Sequence, residues 1–445
     1  MTDSLPSSLK FAAWCFAHGI NTRSRRGNKG KPVPITTARR RPRSLARRAR
    51  RHGVRSPHLG PRELLRRVPD VLRARAIRRR RGRPPPPPGI PSAISWIGSV
   101  QGALLMTGGV VSGPLFDAGH LRPLLVAGHG FVVVGLFATS FCTRYYQLLL
   151  AQGVCVGLGC GLLYLPAAAA VGQWFERRRA LAVGAQSVGS PVAGVVLPIL
   201  FSKLLPRVGF GWATRVIAFI LLGLSTVPIV FIKARVAPDP RHRRRAFVDW
   251  TYFRDLPMLV FTAAIFCAFL GLWVPFFYVQ LYAITFRVSS VGFSPYFVTL
   301  LNVGSALGRI LPPWIAVYAG LLNTIISMTC LCAAMAFLWM GIANFPGLLV
   351  FAVLYGSFQG GLVSMLPSCI VPLTSDMSRL GTRMGTNYLF SGLSVLAGTP
   401  IAGVILGRGG DLAWKGLIAY SGATLAAGSL LLVAALVLHR RKRRI

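Results

Sequence analysis

Acidic side chains are the scarcest chemistry in this chain. Asp and Glu together number 10 in 445 residues, and all charged residues make up 14%, well below the ~25% of soluble domains. A soluble globular protein is thereby excluded. No His/Asp/Glu cluster, nucleophile motif or phosphate-binding loop is legible, so an enzyme is not expected, nor any cofactor or metal. The 8 cysteines show no paired spacing of the zinc-finger kind. Cys142, Cys155, Cys160, Cys267, Cys330, Cys332 and Cys369 lie in or beside apolar runs and read as small packing residues. A secretory signal is also missing. Phe11–Ile20 is apolar but short of the ~20 residues that span a bilayer.

What the chain has is basic and apolar. Lys and Arg number 51, for a net charge of +41, and 53% of residues are hydrophobic. The charge is uneven: residues 1–83 hold 25 basic and 3 acidic side chains, and the remaining 362 hold 26 and 7. A basic leader therefore precedes a polytopic membrane protein. Long apolar runs fall near 94–116, 121–141, 145–175, 180–202, 210–232, 257–283, 294–318, 321–343, 346–371, 385–407 and 412–438, which makes eleven. Each is long enough to cross ~30 Å of hydrocarbon as a helix. Their continuity excludes the alternation of barrel strands.

Basic residues favour cytoplasmic loops. One alternating set of loops holds 18 of them, including Arg122, Arg177–Arg179, Arg379 and Arg383, seven in 233–256, and Arg440–Arg444. The other set holds 7, among them Arg144, Lys203, Arg207 and Lys415. The first set and the C-terminus are expected inside. Eleven spans then place residue 93 outside, and the basic leader with it, against the same rule.

Glycine and proline sit within the spans. Gly153-x-x-x-Gly157 and Gly356-x-x-x-Gly360 predict close helix contacts. Prolines at 166, 191, 198, 275, 367 and 400 predict bends. Pro191-Val-Ala-Gly194-Val-Val-Leu is echoed by Pro400-Ile-Ala-Gly403-Val-Ile-Leu six spans later, as in carriers built from two parallel six-helix repeats.

These motifs resemble the major facilitator superfamily, most closely its fungal monocarboxylate-porter-like branch. Ser92-Ala-Ile-Ser-Trp-Ile-Gly-Ser-Val-Gln101 and Gly113-Pro-Leu-Phe-Asp117-Ala-Gly-His-Leu-Arg122 resemble its second helix and the loop after it. Gln173-Trp-Phe-Glu176-Arg-Arg-Arg179-Ala-Leu-Ala-Val-Gly184 resembles the connection from fourth to fifth helix, and Gly209-Phe-Gly-Trp-Ala-Thr-Arg215 the entry to the sixth. Leu380-Gly-Thr-Arg-Met-Gly385 and Pro400-Ile-Ala-Gly403 resemble the tenth-to-eleventh loop and eleventh helix. The resemblance implies an all-α membrane protein of two six-helix bundles with both ends cytoplasmic, and it removes the contradiction. The first helix belongs just before Ser92, where Arg78–Arg81 and Pro84–Pro88 stand instead. The expected division is a leader at 1–91, an N-terminal bundle at 92–232 holding helices two to six, a basic cytoplasmic loop at 233–256, a C-terminal bundle at 257–438 and a basic tail at 439–445. The leader reads as disordered or as an exon in the wrong frame. Its alternative is a genuine arm for anionic lipid or nucleic acid, although nucleic acid is disfavoured by the lack of interleaved aromatics.

Among span residues only Arg309 is a deep charge. An arginine at a helix centre costs ~2.5–3.5 kcal/mol on insertion scales, which marks a functional candidate. The resemblance implies that it binds an anionic substrate; the competing reading is a residue that snorkels to the cytoplasmic edge. The aspartate usual one turn earlier is replaced by Ser305, so proton coupling has no visible carboxylate. His129 reads as a packed residue. Asn302, Gln359, Asn387 and Tyr278 complete the candidate substrate site, with Gln101, Gln152, Tyr164 and Gln186 as further polar groups at depth. Trp273, Phe276, Phe277 and Tyr278 either stack on a flat ligand or, the preferred reading, form an interfacial belt. Asp117 and Glu176 among Arg122 and Arg177–Arg179, Arg178 included, are the candidate inward-side latch, and the resemblance implies charge pairs there. The second half has Val317 where such an acid is usual. The expected function is alternating-access transport of a small organic anion, monocarboxylate-like, or a related metabolite. The alternatives are a degenerate carrier without activity and a membrane-anchored protein using its Arg-rich arm. The expected location is the plasma membrane, with the vacuolar membrane as the alternative. The coupling ion is open.

Overall fold

The computed structural model describes residues 90–175, 178–234, 250–290, 292–374, 380–407 and 409–442, with side chains from Trp96 onward. The basic leader lies outside them apart from its last two positions, as do Glu176 and most of the 233–256 loop. Among the described residues the regular structure is helical throughout. Lipid dictates this outcome, since a helix satisfies its backbone groups within one segment.

Each expected span has its helix. The first is α1 (Ile90–Thr107) and α2 (Gly109–Asp117), and the second is α3 (Leu121–Phe141). The third holds α4 (Tyr145–Leu148), a π-helical stretch at Leu149–Val156, and α5 (Gly157–Trp174). The fourth and fifth lie within α6 (Arg179–Ser187) and α7 (Gly189–Phe231). The second half follows as α8 (Leu256–Leu272), α9 (Val274–Thr285), α10 (Tyr296–Gly308), α11 (Leu311–Ala319), α12 (Leu321–Leu338), α13 (Phe345–Leu373), α14 (Leu380–Gly407) and α15 (Gly410–Lys442). Among the described residues nine helical runs are long and apolar enough to cross a membrane; α1 and α2 are not among them, and one of the nine is the 53-residue run Arg179–Phe231. That run holds two spans because the chain bends at Gly209, where φ is +75°. Nine helical residues would separate Phe201 and Phe210 by ~13 Å, yet their ring centroids are 6.0 Å apart. The left-handed backbone there is a conformation that glycine adopts without steric cost.

In the first half α3 packs on α5 and α7; in the second α8 packs on α15, α10 on α13, and α12 on both α13 and α15. The halves meet where α2 touches α14, α7 touches α10, and α6 touches α11 and α13. Most of the large buried aromatics, among them Phe261, Phe269, Phe297, Trp339, Phe351 and Tyr355, belong to the second half, with Phe201 in the first. The second half's central helix α13 is mostly buried, whereas the run Arg179–Phe231 leaves most of its apolar surface outward, suited to lipid.

Candidate functional site

The α10–α13 contact fixes the centre of the second half. A Cβ built on Gly304 would stand 2.1 Å from the Val353 carbonyl oxygen, and one on Gly308 only 1.7 Å from that of Ser357. Gly356 and Gly360 answer from the other side, against the Leu301 and Ser305 carbonyls at 2.1 and 2.3 Å. The expected Gly356-x-x-x-Gly360 contact thus meets a second pair, Gly304-x-x-x-Gly308, backbone to backbone. Arg309 caps the end of α10, and the helix restarts at Leu311 with Pro312 in its first turn. Proline lacks the N–H that would continue the ladder. Arg309 therefore sits at a break between two helical pieces. It is 5% exposed. Its Nη1 donates to the Ser187 carbonyl at 2.7 Å, across to the first half, while its Nε has no hydrogen-bond partner. Its own carbonyl lies close enough to Gly184 to exclude any side chain there.

One turn before Arg309, the Ser305 hydroxyl donates to Gln359 Oε1 at 3.1 Å. Gln359 is 1% exposed, and its Nε2 is unpartnered. Tyr164 of α5 meets the Tyr388 ring edge-on at 5.7 Å. Asn387 is buried; its Nδ2 donates to the Thr262 hydroxyl at 3.1 Å, and its Oδ1 has no partner. Thr262 in turn takes the Tyr252 hydroxyl and donates to the Met258 carbonyl. Burial pushes the Tyr252 phenol above its ordinary value, so it stays a neutral donor. Arg309, Ser305 and Gln359 thus form one neighbourhood and Tyr164 with Tyr388 a second contact, whereas Asn387, one residue before Tyr388, turns to Thr262.

Asn302 and Tyr278 are engaged in helix contacts. Asn302 donates to its own helix at Val298 and presses its amide on Gly194 of α7. Tyr278 is 3% exposed, donates to the Thr399 carbonyl at 3.3 Å and approaches Gly403. Trp273, Phe276, Phe277 and Tyr278 lie in the second half of the Leu256–Thr285 run, at a break where Pro275 opens α9. The two echoed Pro-x-Ala-Gly segments take comparable posts: one meets α10 through Gly194 and Asn302, and the other meets α1 through a Thr399–Ser99 hydroxyl contact. His129 bonds its own helix at the Leu125 carbonyl, 2.8 Å away.

At the other end, the Asp117 carboxylate lies against Gly381 in the first turn of α14. A Cβ there would come within 2.5 Å of its oxygen. A carboxylate at a helix N-terminus is held by the exposed N–H groups and the dipole. Arg122 and Arg178 are exposed, and Arg179 Nε donates to the Gly172 carbonyl at 2.9 Å. Sequence reasoning missed a nearby ion cluster. Asp255, which precedes α8, takes Arg383 Nη1 at 3.2 Å and Lys442 Nζ at 3.0 Å. Arg383 Nη2 also reaches the Thr251 hydroxyl. The signal available was slight: one acid, next to Leu-Pro, at the end of a basic loop.

The family model of the Major Facilitator Superfamily matches residues 89–371. The MFS-type transporter dbaD of Emericella nidulans is 40% identical over 345 residues, covering 77% of each chain. The aspyridones efflux protein apdF of the same organism is 33% identical over 320 residues, covering 72% of this chain and 64% of its own. Among solved structures, the human organic anion transporter MFSD10 superposes with a TM-score of 0.62 at 15% identity over 96% of each chain. The E. coli fucose:proton symporter FucP gives 0.57 at 13% identity, covering 77% of this chain and 91% of its own.

Proposed function

Because the chain belongs to the major facilitator superfamily and is a multi-pass membrane transporter of small molecules, we propose that its substrate is an organic anion of secondary-metabolite type, moved by alternating access in the manner of a monocarboxylate-porter-like carrier. The single observation that carries this reading is Arg309: a buried guanidinium at the seam of the two halves, with no carboxylate partner among the described residues. A buried cation without a counter-charge is costly, and an anionic substrate supplies the missing charge. Arg309 and Gln359 are the proposed anion contacts and Asn387 a further polar contact. Asn302 and Tyr278 hold the helices around them. The efflux role of the aspyridones efflux protein apdF, 33% identical, supports outward movement, and the plasma membrane is the proposed location.

Asp117, Arg122, Arg178 and Glu176 form the proposed inward-side latch. Exposed charge pairs contribute only ~0–1 kcal/mol each, which suits contacts that must open in every cycle. The test of the anion reading is Arg309→Lys in the full chain reconstituted in vesicles. Lysine keeps the charge but loses the planar fork. Uptake of labelled organic acids should fall by about one or two tenfold steps at equal protein. Undiminished uptake removes Arg309 from the site. Absence of uptake by the unmodified chain favours the degenerate-carrier reading.

A further inference from the structure

We infer that Ser305 is a positioning residue: by holding the Gln359 oxygen, it turns the Gln359 amide nitrogen toward the substrate beside the Arg309 guanidinium, so that together they select a planar acid group whose two oxygens share one negative charge. The inference rests on the anion-carrier reading above and deepens it by naming the group recognised.

Three observations meet here. Ser305 and Arg309 are four residues apart on one helical stretch, hence on one face. The unpartnered buried atoms of Arg309 and Gln359, Nε and Nε2, are both N–H donors, while Tyr388 Oη and Asn387 Oδ1 on α14 are unpartnered as well. Donors buried without acceptors are uncommon and call for an explanation. The Ser305 hydroxyl, which could have turned to its own helix, instead engages Gln359 Oε1, and that engagement decides which end of the amide is left over. With the oxygen held, the amide offers hydrogen; released, it is free to rotate and present an oxygen that repels an anion. The support is rigid, because the glycine contacts at Gly304, Gly308, Gly356 and Gly360 leave α10 and α13 no room to slide, and a site held this way keeps its geometry. Two oxygens on one plane with a single charge describe a carboxylate or the enolate of a 1,3-dicarbonyl, and neutral amides or esters lack the charge that Arg309 needs.

The experiment measures binding to the purified full chain by thermal shift and by equilibrium dialysis with three probes: benzoate, the enolate of dimedone, and neutral benzamide. Wild type should bind one or both acids and discriminate against benzamide, and the acid that binds identifies which source of the group fits. Ser305→Ala should lose about tenfold in acid affinity and reduce the acid-to-amide ratio while its ligand-free melting temperature stays near wild type. Ser305→Thr, which restores a hydroxyl, should recover both. Gln359→Glu, which keeps the oxygen for Ser305 but replaces the donor with a charge, should abolish acid binding. Wild-type affinity and ratio in Ser305→Ala overturn this inference and leave the anion reading standing. Failure of both acids to bind wild type overturns the anion reading, and this inference with it.

Discussion

The carboxylate of Asp255 holds two cations of unequal weight. Its side chain and that of Arg383 are each 6% exposed, whereas Lys442 is 54% exposed. Removing one partner of a buried ion pair strands the other charge, at a cost of about 3–5 kcal/mol, while an exposed lysine contributes ~0–1 kcal/mol. Asp255→Asn should therefore lower the melting temperature of the detergent-purified chain sharply, and Lys442→Gln should barely move it. Equal effects would mean that the tail contact carries the cluster. Arg309 was legible as a residue because charge in an apolar run is rare. Asp255–Arg383 and Ser305–Gln359 were not, because their partners lie 128 and 54 positions apart and a single sequence carries no mark of such pairs.

At the scale of elements, the α10–α13 contact is the tightest test of the packing. Gly308→Ala and Gly356→Ala place a methyl group within about 2 Å of a backbone oxygen on the facing helix, so the helices must part and take Ser305 and Gln359 with them. Both variants should give less monodisperse protein by size-exclusion chromatography. Gly223→Ala, where a Cβ meets nothing within 4 Å, should match wild type, and alanine even favours a helix by about 0.5–1 kcal/mol. The spans themselves were readable from apolar run length, to within a few residues. The breaks were not. Nothing in 294–318 distinguishes the proline pair Pro312-Pro313 from a tolerated kink, and the interruption at Trp273 falls two residues before the proline bend expected at 275.

For the whole molecule, the expected orientation makes the two ends of α15 testable against each other. Lys415 and Lys442 lie 27 positions apart on one helix, or ~40 Å at 1.5 Å per residue, enough to reach opposite faces of the bilayer. In a cysteine-free background, Lys415→Cys should react with an impermeant maleimide on intact cells, and Lys442→Cys only after permeabilisation. The reverse pattern would invert the topology. The two-bundle plan was legible only through a family resemblance and a seven-residue echo, since apolar runs count helices without saying which ones touch. Gly209 carries a further consequence. The turn joining its two spans is a single residue of positive φ, on the face expected to lie opposite the basic loops, so the chain offers no loop at this point. An antibody finds no loop epitope there, an added protease no extended strand to thread into its cleft, and a peptide tag inserted after Gly209 has no slack to occupy without prising the two helices apart.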